Sequence, residues 1–192
     1  MMRTGRLVIL GIRILLLAQI VWLLPGLTGC ASRERELPFE TIAQENGWLW
    51  GRYEGSKSAL LILTGSEQVS TLKEVMKHPA LIETQKGQLT VYSELQLADV
   101  DWGTYFVLMA LQGEKGSSGY KVTIHRIEQR AQYIKVYASF EEPRPTEKVS
   151  DRLTSPVHAV RIKKDAHLTG QQIEFSLIVD GATVAQTSQR IP

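Results

Sequence analysis

The feature that most constrains this chain is a period-two alternation of apolar and polar side chains, repeated between residues 120 and 180. Tyr120, Val122 and Ile124 alternate with Lys121, Thr123 and His125. Ile134, Val136, Ala138 and Phe140 alternate with Tyr133, Lys135, Tyr137 and Ser139. Ile173, Phe175, Leu177 and Val179 repeat the pattern. Successive side chains leave opposite faces of an extended strand, so each stretch reads as a strand with one buried and one solvated face. The turn around Glu128–Gln132 links the first two, and Asp180-Gly181 is a two-residue turn returning the last through Thr183 to Arg190. Glu141–Pro145 (EEPRP) ends the second strand, because proline lacks the donor a ladder needs. A polar connection then runs to Ser155, the longest apparent loop and a candidate contact surface.

Upstream, the continuous apolar run Tyr105–Leu111 predicts a central strand covered on both faces. Gly113–Gly119 (GEKGSSG) follows, and its glycines supply the positive-φ positions of a tight reversal into the next strand. Trp48–Tyr53 and Ala59–Leu63 read as a hairpin, Gln88–Glu94 as another strand, and Val157, Val160 and Ile162 as one more. One helix is expected from Ser66, with Ser66 as its cap, Glu67 in the first turn and Val69, Leu72, Val75 and Met76 as its apolar stripe. His78-Pro79 ends it. About nine strands and one helix predict a mainly β protein, an antiparallel β-sandwich or barrel-like fold with one packed α-helix.

The N-terminus has a different character. Arg3, Arg6 and Arg13 precede an eleven-residue apolar run, Ile14–Leu24, followed by Pro25-Gly26. That run suits a signal-peptide core and is short of the roughly 20 residues a spanning helix needs. Leu27, Thr28 and Gly29 stand before Cys30, the pattern at which bacterial lipoprotein precursors are lipidated on cysteine and cut just before it. The expected organisation is a lipoprotein signal peptide over 1–29, a lipidated Cys30 with a polar tether over 30–38, and a β domain over 39–192. Such a protein is held by its lipid at the extracytoplasmic face of the cell membrane, or of an outer membrane in a two-membrane envelope. Cys30 is the sole cysteine, so an intrachain disulfide is excluded and the core must hold the domain. Without the three leader arginines, 19 basic residues face 20 acidic ones. Such a balance gives no support for nucleic-acid binding, which needs a clustered basic face.

Residues that could carry chemistry are sparse. His78, His125, His158 and His167 show no zinc-ligand spacing, and each reads as a surface or boundary histidine. Asp99 and Asp101 lie near a turn with no third ligand in sequence, so they read as solvent-facing caps. Ser117 and Ser118 sit in a glycine-rich turn rather than a nucleophile elbow. Phosphate cradling is not expected either, since these glycines join strands and offer no helix N-terminus. The reading is of a protein that is not an enzyme and uses no metal or cofactor.

The stretch Tyr105–Lys164 resembles the C-terminal domain of the PrcB family, named for a lipoprotein subunit of a surface protease complex. The features are YFVLMALQGEKGSSGYKVTIHRIE, then YIKVYASFEEPRP, then LTSPVHAVRI. Ser117-Ser118-Gly119-Tyr120 stands where that family usually has Thr-Gly-Gly-Tyr, so a serine replaces one glycine. The helix at Ser66–Lys77 and Asp101 before the central strand are similar to full-length members, and Gln171–Arg190 is an extension beyond the match. The resemblance implies an accessory subunit of an extracytoplasmic protease and brings no catalytic residues.

Ser118-Gly119-Tyr120 is also similar to the Thr-Gly-Tyr end of the inhibitory loop in chagasin-type protease inhibitors. The Asn-Pro opening of that loop is absent, with Lys115-Gly116 instead, and Arg144-Pro145 leads to Thr146 rather than an aromatic residue. Expected function is therefore a lipid-anchored, non-catalytic module that binds a protein partner, a protease among the candidates. Inhibition is the alternative, with a hydrolase behind it. The candidate contact residues are Gly113, Lys115, Gly116, Ser117, Ser118, Gly119 and Tyr120 in one loop, with Pro143, Arg144 and Pro145 in the other.

Overall fold

The computed structural model describes residues 34–45, 57–76, 97–151 and 154–192. The leader, Cys30, and the strands expected at Trp48–Tyr53 and Gln88–Glu94 lie outside the described residues, as does His78.

Among the described residues nine strands form two sheets that face one another. In chain order they are β1 (Arg35–Glu36), β2 (Phe39–Glu45), β3 (Ala59–Leu63), β4 (Tyr105–Leu111), β5 (Lys121–Arg130), β6 (Tyr133–Glu141), β7 (Val157–Lys163), β8 (Gln172–Val179) and β9 (Ala182–Arg190). One sheet runs β1-β5-β6-β8-β9 and the other β2-β7-β4-β3. The sandwich expectation holds, with one departure from an antiparallel arrangement: β6 and β8 run parallel. Between them the chain crosses to the other sheet for β7, so β8 returns in the direction β6 had taken.

The alternation read from the sequence selects the faces. Val122, Ile124, Ile127, Ile134, Val136, Ile173, Phe175 and Leu177 turn inward against Phe106, Leu108, Val160 and Ile162. Phe106 and Phe175 meet edge-on across the interface, ring centroids 6.2 Å apart. Burying each such side chain contributes roughly 1.5–3 kcal/mol. β4 is covered on both faces, as its unbroken apolar run requires. Its even positions enter the inter-sheet core, while Val107, Met109 and Leu111 enter a second cluster with Val69, Leu72, Leu97 and Val100. That second layer includes α1 (Ser66–Met76), whose buried Val69 and Leu72 belong to the expected stripe. The start of α1 is held by Gln68 rather than by Ser66. The Gln68 amide oxygen accepts from both the backbone N–H and the hydroxyl of Thr64.

Two turns follow the sequence closely. Asp180 and Gly181 both have positive φ, +50° and +79°, as a type I′ hairpin turn demands. The β5–β6 strands run further than expected and leave only Ala131-Gln132 as the turn, with Ala131 at φ +53°. At the N-terminal side, part of the expected tether belongs to the fold. Arg35-Glu36 pair with Gln129 and Glu128 of β5, and Leu37 is buried in the core. The Arg35 guanidinium bonds Asp165 at 2.6 Å and also reaches the Gln129 amide oxygen. The compact unit accordingly spans Glu34–Pro192.

Candidate functional site: a zipped pair of loops

Gly113–Gly119 departs from the expected tight reversal. It does not close a hairpin, because β4 and β5 lie in different sheets. It is a crossing between the two layers, and a crossing needs support along its length. The support comes from the second candidate loop. Lys115 and Thr154 exchange two backbone hydrogen bonds, 2.8 and 2.9 Å, as an isolated antiparallel bridge. The Thr154 hydroxyl donates to the Ser117 carbonyl at 2.8 Å. Ser118 N–H donates to the Ser150 carbonyl at 3.0 Å, and Ser150 N–H returns a bond to the Ser118 hydroxyl at 2.8 Å. Two loops separated by β5 and β6 in sequence therefore form one surface.

Glycine is needed at particular points of this surface. Gly119 has φ +99°, and a Cβ there would stand 2.8 Å from both Pro143 Cβ and Val149 Cγ1. The loop passes under Pro143 at that point, which fixes the second loop against the first. Gly113 also has positive φ, +86°. Gly116 has neither constraint, and a side chain there would meet nothing within 4 Å. Arg144 and Glu147 close a small turn: Glu147 N–H donates to the Arg144 carbonyl, and Arg144 N–H to the Glu147 carboxylate. The outer surface consists of Glu114, Gly116, Arg144, Pro145, Thr146, Glu147 and Lys148, all exposed. Lys115 lies over the Tyr120 ring, 5.3 Å from its centroid, with both side chains half-buried. Beneath the surface, Thr154, Ser155 and Gln112 are buried, and among the described residues the Gln112 amide oxygen has no hydrogen-bond partner.

The site brings together all ten loop residues singled out from the sequence. The Ser118–Tyr120 turn is tied to Ser150 and packed under Pro143 and Val149, so it does not stand clear of the domain. The Ser118 hydroxyl is occupied as an acceptor from Ser150 N–H. A serine and a histidine do meet elsewhere, His125 and Ser139, 2.9 Å apart on the solvated face of β5 and β6. Among the described residues no carboxylate hydrogen-bonds that imidazole. Asp101 is a turn cap: its carboxylate accepts from Gly103 N–H at 3.0 Å. The Thr104 side chain and the Gly103 amide hold its pKa below the usual carboxylate value. Among the described residues no group of three or more His, Cys, Asp or Glu side chains is placed to hold a metal.

His158 is the residue that sequence reading misplaced. Rather than a boundary histidine it is 3% exposed, inside the sandwich. Its Nδ1 accepts the N–H of Ile124 at 2.8 Å from the opposite sheet, so the ring is neutral and carries its proton on Nε2. That Nε2–H donates to the Thr41 hydroxyl at 2.9 Å. Ile124 borders the bulge in β5 at His125, and the imidazole takes up its amide beside that irregularity. Burial, then the neighbouring His125 and Lys121, push its pKa down to about 4. The signal was available: His158 shares strand parity with Val160 and Ile162, both inward. Gln44 makes a parallel tie, its amide nitrogen donating to the Val122 carbonyl at 2.7 Å. Polar side chains of β2 and β7 in one sheet thus bond the β5 backbone in the other.

Fold and site define a class: a two-sheet β domain whose layer-crossing loop is zipped to the loop entering its next inner strand. Residues 106–163 are a PrcB C-terminal domain. The match runs from β4 to β7 and contains both loops. No curated protein and no solved structure matches the chain.

Proposed function

We propose that the protein is a lipid-anchored, extracytoplasmic, non-catalytic module that docks a protein partner through the zipped loop pair, as an accessory subunit of a surface protease complex. The observation that carries this reading is the union of Gly113–Gly119 with Ser150–Thr154 by backbone and side-chain hydrogen bonds. Loops held this way are pre-ordered, so binding costs little further chain entropy. The lipid adds a second advantage. Two or more acyl chains hold a protein stably at a bilayer, and confinement there raises its effective concentration toward neighbouring membrane proteins. The LTGC pattern at Leu27–Cys30 and the PrcB C-terminal match at 106–163 both support the assignment.

The test uses the open position at Gly116. A photo-crosslinking residue placed there in the full-length protein, irradiated in intact membranes, is expected to capture one dominant partner. Replacing exposed Glu114, Arg144 and Lys148 by serine should remove most of that product while leaving thermal unfolding unchanged. A partner profile unaffected by the triple substitution would reject the loop pair as the docking surface.

A further inference from the structure

Resting on the anchored-module reading above, we infer that the domain stands on the membrane by the end that carries β1, so that the zipped loops face away from the lipid and engage the extramembrane part of a partner protein. Two independent features of the fold converge on this orientation.

The first is covalent reach. β1 begins at Arg35, and its pairing with Gln129 and Glu128 places it at the β5–β6 turn end of the sandwich. Leu37 is buried and Arg35 is tied to Asp165 and Gln129, so the chain is pinned there from residue 35 onward. Five residue steps separate Arg35 from Cys30, which span at most about 17 Å when fully extended. A lipid on Cys30 therefore keeps this end of the domain against the headgroups. Strand registers show what else lies there. Tyr105 pairs with Lys163, and β8 starts at Gln172 beside Arg190. Lys115, Thr154, Glu141 and Val157 lie at the other end, together with the Asp180-Gly181 turn. The ten residues of β5 separate the two ends by about 33 Å.

The second feature is surface chemistry. Tyr133 is 54% exposed, and it and Val184 are the large hydrophobic side chains left out in solvent among the described residues. Tyr133 opens β6 at the anchor-side turn, next to exposed Arg130, with exposed Lys163 at the same end. An exposed tyrosine beside Arg130, at an end that also carries exposed Glu34 and Glu36, is suited to the lipid headgroup layer, where its ring is half-solvated and its hydroxyl stays wet. The loop-pair end carries a mixed rim of Glu114, Arg144, Glu147 and Lys148 around a backbone-rigid surface, with Val184 exposed near the Asp180-Gly181 turn. Such a rim fits a folded protein surface raised above the bilayer and not a membrane-spanning segment.

The orientation is tested in the full-length lipidated protein, reconstituted in phosphatidylethanolamine–phosphatidylglycerol vesicles. Because the native cysteine carries the lipid, a fluorophore can be attached singly through Gln132→Cys, Gly116→Cys or Thr146→Cys. A nitroxide on the lipid headgroups should quench the probe at residue 132 several-fold more than those at 116 and 146. Ten Gly/Ser residues inserted after Arg33 should abolish that difference. Equal quenching at all three positions, or none at residue 132 in vesicle-bound protein, would overturn the orientation. The compact domain without residues 1–30 should not bind the vesicles; if it binds with the same quenching pattern, the lipid-anchor reading itself fails.

Discussion

His158 carries more of the fold than its single position suggests, because it serves two sheets at once. Its Nδ1 must stay unprotonated to accept the Ile124 amide, and protonation would set an imidazolium against a donor inside an apolar interior. The ring titrates near 4 when folded against 6.5 ordinarily, so the unfolded chain binds the proton more readily. The stabilisation is complete above about pH 6.5 and is lost as pH falls toward 4, amounting to about 3 kcal/mol over that window. Urea midpoints at pH 7.5, 5.5 and 4.5 should therefore fall more steeply for the natural protein than for His158→Gln, which keeps an acceptor but does not titrate. Parallel slopes would remove the imidazole from the acid response. The same residue marks where sequence reading stopped. Strand parity with Val160 and Ile162 already pointed it inward, yet parity names a face and not the partners on it. Ile124 lies in another sheet, 34 positions away, and no local pattern encodes that meeting.

At the scale of elements, the alternating strands and the tight Asp180-Gly181 turn were legible, whereas β2 and the crossing between sheets were not. The alternations at Lys121–Arg130, Tyr133–Glu141 and Gln172–Val179 depend on each strand's own side chains, and the covered run of β4 on its own composition. Whether Gly113–Gly119 reverses within a sheet or crosses between sheets depends on where β4 finds its neighbours, β3 and β7. Glycines permit either course. The two loops were singled out separately, and their union appears only through the Lys115–Thr154 and Ser118–Ser150 bonds. The crossing makes a distinct demand on Gly119. Alanine there would carry positive φ and press Pro143 and Val149 at once, so Gly119→Ala should destabilise the domain by about 2 kcal/mol. Gly116→Ala, which meets open space, should leave stability within about 0.5 kcal/mol of the parent. Thermal unfolding of the two variants side by side decides it. Equal midpoints would mean that the second loop is not seated on the first as described.

At the scale of the whole molecule, the stretch matching the PrcB C-terminal family is only part of a structure. Residues 106–163 supply β4, β5, β6 and β7, which fall two to each sheet. Within the five-stranded sheet β6 needs β8 on its far side, and within the other sheet β4 needs β3 and β7 needs β2. The inter-sheet core is shared in the same way. Ile173, Phe175, Leu177, Val179 and Ile191 come from beyond the match, and Leu37, Leu60 and Ile62 from before it. The C-terminal hairpin, read from sequence as an extension, is thus a structural wall of the sandwich. Removing it would expose the inner faces of Phe106 and Ile134 and leave β6 with an unpaired edge. Each large side chain so uncovered forfeits roughly 1.5–3 kcal/mol, and several are uncovered together, against a total domain stability of about 5–15 kcal/mol. A fragment of residues 106–163 should therefore show no cooperative urea transition, whereas residues 34–192 should unfold in one. A cooperative transition in the short fragment would mean that the four matched strands make a core of their own, and that the flanking strands serve the loop-pair surface rather than the fold.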